Sequence, residues 1–155
     1  MSNFNKILCA LDFDKNCETL VGVARRLCEG NRGQLHLLHV ARVPPPDQDV
    51  PLPLADDPRW EEIARKHLEA IAHKVLDGSV PWELHVSSGV PERDIVHMAD
   101  RLSIDLIVMG THGRTGISHL VLGSVAEEVI RKANCAVLTL RTGRALLQAA
   151  TDSGG

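Results

Sequence analysis

The sequence predicts an α/β protein built on a mainly parallel β-sheet. Five short apolar runs, each bounded by polar or turn-forming residues, have the length and composition of buried strands. Stretches with apolar residues at helical spacing lie between them, so strands and helices alternate along the chain. Such an alternation implies parallel strands joined by right-handed crossovers. The 155 residues, 44% of them apolar, suffice for one domain with one hydrophobic core.

The five predicted strands are separated by segments long enough to hold a helix. The first strand is a continuous apolar run that ends at Asp12, and the fourth leads into a glycine-rich stretch. Continuous apolar runs are typical of strands that are buried on both faces. The predicted strands are Lys6–Leu11, Gln34–Val40, Trp82–Ser87, Asp105–Met109 and Cys135–Leu140.

Four helices are predicted from the spacing of their apolar residues. Asp14 offers an N-cap for the first, and Gly30–Gly33 is its stop signal. The second follows a long proline-rich connection and has the clearest periodicity, from Trp60 to Leu76. His67 lies on its apolar stripe, and we expect it to be a core residue. The third and fourth helices are predicted to begin at Pro91 and at Ser124.

Composition argues against several classes of partner. The formal net charge of -3 gives no electrostatic basis for binding nucleic acid or an anionic membrane surface. Aromatic residues make up only 3% of the chain, too few for a base-stacking platform. No apolar stretch approaches the roughly 20 residues of a membrane span, and the N-terminal apolar run is too short for a signal peptide. We therefore expect a cytoplasmic protein without nucleic-acid or membrane partners, whose four cysteines are buried, reduced thiols.

The stretch after the fourth strand carries the clearest chemical signal in the chain. It contains Gly110 and Gly113 with two residues between them, then nine residues, then Gly123 and Ser124. Glycines allow the backbone to approach a ligand and to turn its N–H groups towards an anion. A helix that begins at Ser124 would add the positive end of its dipole. Phosphate is therefore a candidate ligand of this stretch.

The residues alone leave two interpretations of this loop open. Neither the G-x-x-x-x-G-K-S/T motif nor the G-x-G-x-x-G motif occurs. Either the loop binds a phosphate, with Arg114 adding charge, or its glycines only make turns and Ser124 is an N-cap. Ligands of such sheets bind beyond the carboxyl ends of the strands, where the strand order reverses. Asp12 and Val40, which end the first two strands, are therefore candidates as well.

Three motifs of the chain resemble the universal stress protein family. They are KILCALD with its terminal aspartate, the strand ending in His39-Val40, and the pattern Gly110-x2-Gly113-x9-Gly123-Ser124. The last is similar to the signature of the branch of the family that binds ATP. The resemblance covers roughly residues 3 to 141. It implies a three-layer, doubly wound, five-stranded parallel sheet in the order 3-2-1-4-5, of the adenine nucleotide alpha hydrolase-like class. The single domain would then span residues 1–141, with a frayed tail over 142–155.

The resemblance also implies an ATP site, residue by residue. Asp12 corresponds to the aspartate that hydrogen-bonds the ribose hydroxyls, and Val40 to the residue whose backbone holds the adenine edge. Mg²⁺ or Mn²⁺ would be held through the phosphates. The other matched positions, which border the adenine, the ribose or the phosphates, are Ala10, Met109, Gly110, Gly113, Arg114, Gly123, Ser124 and Val125.

One position near this site departs from the family pattern. Asp14 stands where the family often has serine. Its carboxylate would either place a negative charge near the phosphates or cap the first helix without meeting the ligand.

The eight histidines raise the question of a metal site. His36 and His39 are three residues apart on a predicted strand, so their side chains point to opposite faces of the sheet. His112 and His119 share the glycine-rich loop, but no cysteine lies near them in the sequence. We expect no metal site built from side chains of the protein.

Two functions are consistent with these features. The first is an ATP-binding stress-response or signalling module, not an enzyme, with at most slow hydrolysis, because no general base or water-positioning residue is evident. The alternative is a nucleotide-free dimeric scaffold or interaction protein. The fifth strand would be an apolar sheet edge, which is a liability unless it is paired. The family pairs fifth strands across a two-fold axis, so the resemblance implies a homodimer, while the protein partner is not indicated.

Overall fold

Five parallel strands form one sheet in the computed structural model, which describes residues 3–42, 58–111 and 122–141. The strand order is β3-β2-β1-β4-β5, so the order 3-2-1-4-5 is confirmed. The ends of the strands differ from the predicted ones by at most two residues. The strands are β1 (Lys6–Leu11), β2 (Gln34–Arg42), β3 (Trp82–Gly89), β4 (Leu106–Gly110) and β5 (Ala136–Leu140).

Helices cover both faces of this sheet and make it a three-layer structure. Within the described ranges they are α1 (Cys17–Asn31), α2 (Pro58–Leu76), α3 (Pro91–Leu102) and α4 (Ser124–Lys132). Alternate residues of β1 point to opposite faces: Ile7 and Cys9 join the core beneath α1 and α2, whereas Leu8 joins the core beneath α3 and α4. None of these helices is both long and apolar enough to cross a membrane.

The first helix begins later than the sequence predicts. Asp14 is not its N-cap: α1 starts at Cys17, and its N-cap residue is Asn16. The Asp14 carboxylate instead accepts a hydrogen bond from the Asn16 backbone N–H at 2.9 Å. The chain therefore makes an extra turn between β1 and α1. Phe13 lies in that turn with a φ of 60°, in the left-handed region that side chains rarely adopt.

The second helix packs as its periodicity predicts, with one exception. Its stripe of Ala64, Leu68, Ile71, Ala72 and Leu76 is buried against the sheet. The prediction that His67 is a core residue is wrong, because His67 is exposed. Its ring stacks on the Phe13 ring at a centroid distance of 4.5 Å, so it faces the turn after β1 rather than the sheet.

The four cysteines are free thiols. Cys9, Cys17 and Cys28 are buried, as predicted, but Cys135 is only half-buried. It lies just before β5, which begins one residue later than the sequence predicts, and packs against the core beneath α3 and α4.

Candidate functional site

A cavity of about 710 Å³ opens at the carboxyl ends of β1, β2 and β4. It lies at the point where the chain order reverses, between β1 and β4, which is where α/β sheets bind their ligands. Its volume falls within the range of roughly 300–1,000 Å³ that is usual for small-molecule sites. Its lining includes Ala10, Asp12, Asp14, His39, Val40, Trp60, Met109, Gly110, Thr111, Gly123, Ser124, Val125 and Ala126.

Most of the residues singled out in the sequence meet around this cavity. Gly113 and Arg114 lie outside the described residues. The eight predicted site residues that line the cavity are Ala10, Asp12, Val40, Met109, Gly110, Gly123, Ser124 and Val125. Residues from three separate strands and one helix are thus brought to a single concave surface.

One wall of the cavity carries two carboxylates from the turn after β1. Asp12 is half-buried, and its Oδ1 accepts a hydrogen bond from the Asp14 backbone N–H at 3.2 Å. This bond folds the chain back on itself and fixes the Asp12 carboxylate at the strand end. Asp14 also lines the cavity, so its carboxylate lies at the candidate site.

The facing wall is the start of α4. Gly123 is the N-cap residue and Ser124 the first helical residue, so Ser124 is not the N-cap of the alternative interpretation. The first intrahelical bond is accepted by the Gly123 carbonyl from the Glu127 N–H, at 3.0 Å. The N–H groups ahead of Glu127 have no partner within the helix. Because Ser124, Val125 and Ala126 line the cavity, this wall presents the positive end of a helix dipole.

The two ends of the glycine-rich stretch are joined to each other at the cavity. The Gly123 N–H donates to the Thr111 carbonyl at 2.5 Å. The Thr111 N–H in turn donates to the Leu140 carbonyl at 3.1 Å, which ties this pair to the end of β5. We call this arrangement the Thr111–Gly123 clasp. It holds the end of β4 and the start of α4 together.

Comparison with known proteins identifies the family to which this chain belongs. Residues 3–141 match the model of the universal stress protein family. Universal stress protein A homolog 1 of Coxiella burnetii is 32% identical over 143 residues, which cover 89% of this chain and 96% of the relative. The chain belongs to the universal stress protein family.

Solved universal stress proteins share the fold and include nucleotide complexes. A universal stress protein from Archaeoglobus fulgidus in complex with dAMP has a TM-score of 0.63 and 22% identity, covering 90% of this chain and 100% of that one. A universal stress protein in complex with cAMP has a TM-score of 0.64 and 20% identity, covering 92% of this chain and 100% of that one. Both similarities confirm the predicted fold class.

This universal stress protein has an aromatic stack at the cavity that sequence reasoning missed. The Phe13 ring lies against the His39 ring at a centroid distance of 3.9 Å and against the His67 ring on its other side. His39 is held in place because its Nδ1 donates to the Leu11 carbonyl at 2.7 Å. Trp60 lies 6.2 Å from His39 between ring centroids and lines the cavity. The stack joins the turn after β1 to the end of β2 and to α2.

The sequence held only part of the signal for this stack. Phe13 and His39 follow or end predicted strands that meet at one edge of the sheet, so their proximity was open to inference. The left-handed conformation of Phe13 had no signature in the sequence, and it is what turns the ring towards α2 and His67.

The thiol beside the carboxylates is not an activated nucleophile. Burial raises the pKa of Cys17 to about 12, and the nearby Asp14 and Asp12 charges act in the same direction. Cys17 is therefore a protonated thiol at neutral pH.

Among the residues that the structure describes, two groups of side chains have ligand atoms close enough together to hold a metal ion. Asp12, Asp14 and Cys17 form the first, but both Asp14 oxygens accept hydrogen bonds from Asn16 and the thiol keeps its proton. The second group consists of His36 on β2 with Glu83 and His85 on β3, and it lies away from the cavity.

Proposed function

We propose that this universal stress protein binds ATP in the cavity at the switch point and acts as a nucleotide-dependent stress-response or signalling module. The observation that carries the proposal is the meeting of the Asp12 carboxylate with the helix start at Gly123–Val125 around one cavity. A carboxylate accepts hydrogen bonds from sugar hydroxyls, and a helix start favours phosphate. The dAMP and cAMP complexes of related proteins support an adenine nucleotide as the ligand class.

In this proposal the predicted site residues would contact the nucleotide part by part, as the resemblance to the family implies. Asp12 would accept from the ribose hydroxyls, while Ala10 and the Val40 backbone border the adenine. Met109 and Gly110 would border the ribose and the α-phosphate. Mg²⁺ or Mn²⁺ would be held through the phosphates, whose oxygens these ions prefer. The remaining phosphate contacts are assigned to Gly113, Arg114, Gly123, Ser124 and Val125.

Hydrolysis in this proposal is slow at most. Asp12 is committed to the ribose, and the adjacent Cys17 thiol is protonated. Neither residue is suited to activate a water molecule for attack on a phosphate. The nucleotide would act instead by ordering the residues that contact it, which shifts the populations of conformers that a partner can recognise.

We also propose that the protein works in the cytoplasm as a homodimer paired through β5. This strand is an edge of the sheet, and its Val137, Leu138 and Leu140 are only half-buried. An edge of this kind gains from pairing with a second copy.

A direct test is mass spectrometry of the nucleotide released from freshly purified protein, with calorimetric titration of ATP and Mg²⁺. Parallel titrations with AMP and cAMP separate ATP from the other adenine nucleotides. Released ATP, or titration by ATP in preference to both, supports the proposal. Failure of every adenine nucleotide to bind leaves the nucleotide-free dimeric scaffold as the function, a result that the Asp14 carboxylate in the cavity would explain.

A further inference from the structure

Two histidines and a glutamate lie side by side where β2 meets the edge strand β3. His36 belongs to β2, and Glu83 and His85 belong to β3. In the parallel register His36 lies opposite Glu83, and Leu38 lies opposite His85. All three side chains therefore share the face of the sheet that α3 and α4 cover. They lie towards the amino ends of both strands, whereas the nucleotide cavity lies at the carboxyl ends.

The potential ligand atoms of this cluster converge on one point. His36 Nδ1 and His85 Nε2 are 3.0 Å apart. Glu83 Oε2 is 3.7 Å from the first of these nitrogens and 4.0 Å from the second. In a tetrahedral zinc site with bonds of 2.0–2.1 Å, ligand atoms lie about 3.3 Å apart. The two rings need to separate by only a few tenths of an ångström, and the Glu83 side chain, which is 55% exposed, is free to close the remaining gap.

The His36 imidazole is buried and the His85 imidazole is half-buried. Burial lowers the pKa of His36, and it also lowers the pKa of His85, where the neighbouring His36 acts in the same direction. Only 4% of the His36 side chain is exposed, whereas 16% of the His85 side chain is, so an ion can reach the cluster from the His85 side.

A supporting hydrogen bond orients the carboxylate. Gln34 Nε2 donates to Glu83 Oε1 at 3.0 Å, which leaves Oε2 facing the histidines. Partners of this kind fix the ligands of metal sites in other proteins.

The polar contacts of His36 are all on one edge of its ring. His36 Nε2 is buried and has no hydrogen-bond partner within the described part of the chain. All the polar contacts of His36 lie instead on its Nδ1 edge, towards His85 and Glu83.

We propose that His36, Glu83 and His85 form a binding site for a divalent zinc-class cation, with water completing the coordination. Two imidazole nitrogens and one carboxylate are a ligand set that Zn²⁺ uses, and nitrogen ligands select against Mg²⁺. The bound ion would join β3 to β2 and stabilise this edge of the sheet. The proposal is independent of nucleotide binding, and it replaces the expectation that the protein has no metal site of its own.

The test uses the full chain, freed of metal with a chelator and then titrated with Zn²⁺ alone in the absence of nucleotide. We expect one equivalent to bind and to raise the unfolding temperature. Glu83→Gln and His85→Gln should each weaken binding by about 100-fold or more, since loss of even an outer partner costs roughly 10- to 100-fold. His97→Gln removes an exposed histidine of α3 outside the cluster and is the matched control, with unchanged affinity.

Co²⁺ in place of Zn²⁺ gives a second readout, because its visible absorption reports the coordination geometry. The wild type should show a tetrahedral spectrum that Glu83→Gln and His85→Gln lose. Circular dichroism of the metal-free variants separates loss of ligands from loss of fold. Failure of the wild type to bind Zn²⁺, or equal affinity in the wild type and in both folded variants, overturns the proposal. The second result would place the ion elsewhere in the chain.

Discussion

Two aspartates in the turn after β1 illustrate how closely the site depends on single residues. Asp12 and Asp14 line the same cavity, and each accepts a hydrogen bond from the backbone N–H two residues further on. The ribose hydroxyls of the proposed ligand need a hydrogen-bond acceptor such as a carboxylate, whereas its negatively charged phosphates repel a carboxylate. Two chemically identical side chains are therefore expected to act in opposite directions on binding.

Replacing Asp12 with alanine should weaken ATP binding by about 1–3 kcal/mol, the value of a hydrogen bond to a charged acceptor. Calorimetric titration measures the change. Asp14→Asn is the matched control, since it removes one charge at the same wall and should leave binding unchanged or strengthen it. If Asp12→Ala binds ATP as tightly as the wild type, the ribose assignment is wrong.

The buried thiols provide a prediction about alkaline pH. Burial holds the pKa of Cys17 at about 12 and that of Cys28 at about 11 in the folded protein, against a usual value of 9.0. Above pH 9 the unfolded chain releases these protons while the folded chain keeps them. The free energy of unfolding should therefore fall as the pH rises past 9. Urea unfolding at pH 8 and pH 10 measures this, and Cys17→Ala should reduce the difference.

At the scale of elements, the start of α4 is the part on which the proposed function depends most. Gly123 has a φ of -74°, which any residue adopts, so a larger side chain there causes no backbone strain. Gly123→Val should abolish ATP binding by filling space at the phosphate wall while the thermal unfolding temperature stays close to that of the wild type. Binding that survives this substitution would place the phosphates elsewhere in the cavity.

Two glycines near the end of α1, Gly30 and Gly33, differ in the space around them. Alanine at Gly30 tests helix propensity, whereas alanine at Gly33 tests close packing. A Cβ on Gly33 would lie 2.9 Å from the Phe4 carbonyl oxygen and 3.1 Å from that of Asn5. Gly33→Ala should therefore lower the free energy of unfolding by about 1–3 kcal/mol, because backbone must move. Gly30 is helical with no atom within 4 Å of its added Cβ, and Gly30→Ala should instead stabilise the protein by up to about 1 kcal/mol. Denaturant titration of both variants compares them.

At the scale of the whole molecule, the sheet has two edges, β3 and β5, and the proposed dimer uses only one of them. Thr139→Lys places a charge on half-buried β5 and should convert the dimer to a monomer in analytical ultracentrifugation. Ser88→Lys places the same charge at an exposed position of the other edge strand, β3, and should leave the dimer intact. The pairing assignment fails if both variants have the same mass as the wild type.

The sequence was sufficient for the parts of the fold that periodicity controls. The buried run Lys6–Leu11 and the apolar stripe of α2 are each defined by several residues that follow the same pattern. The glycine spacing predicted one wall of the cavity, because glycines allow the backbone itself to approach a ligand. Single residues were less predictable: His67 sits beside the stripe but faces Phe13, and Asp14 serves a turn rather than a helix.

Contacts across the sheet were the least predictable part. His36 and His85 are 49 residues apart, and their proximity follows only from the pairing of β2 with β3 in one register. A shift by one residue would place their side chains on opposite faces. Spacing along the sequence therefore places His36 and His39 on opposite faces of the sheet, but it could not reveal the proximity of His36 and His85.

The Thr111–Gly123 clasp has a consequence for how such a protein can change over time. The chain leaves the sheet at Thr111 and returns within a single hydrogen bond of that point at Gly123. This hydrogen bond joins two backbone groups, so it does not depend on the side chains between them. We therefore expect sequence changes in that interval to leave the end of β4 joined to the start of α4. An engineer could splice a small reporter domain with neighbouring termini into this interval, and descendants of one ancestor could acquire different ligands there without rebuilding the core.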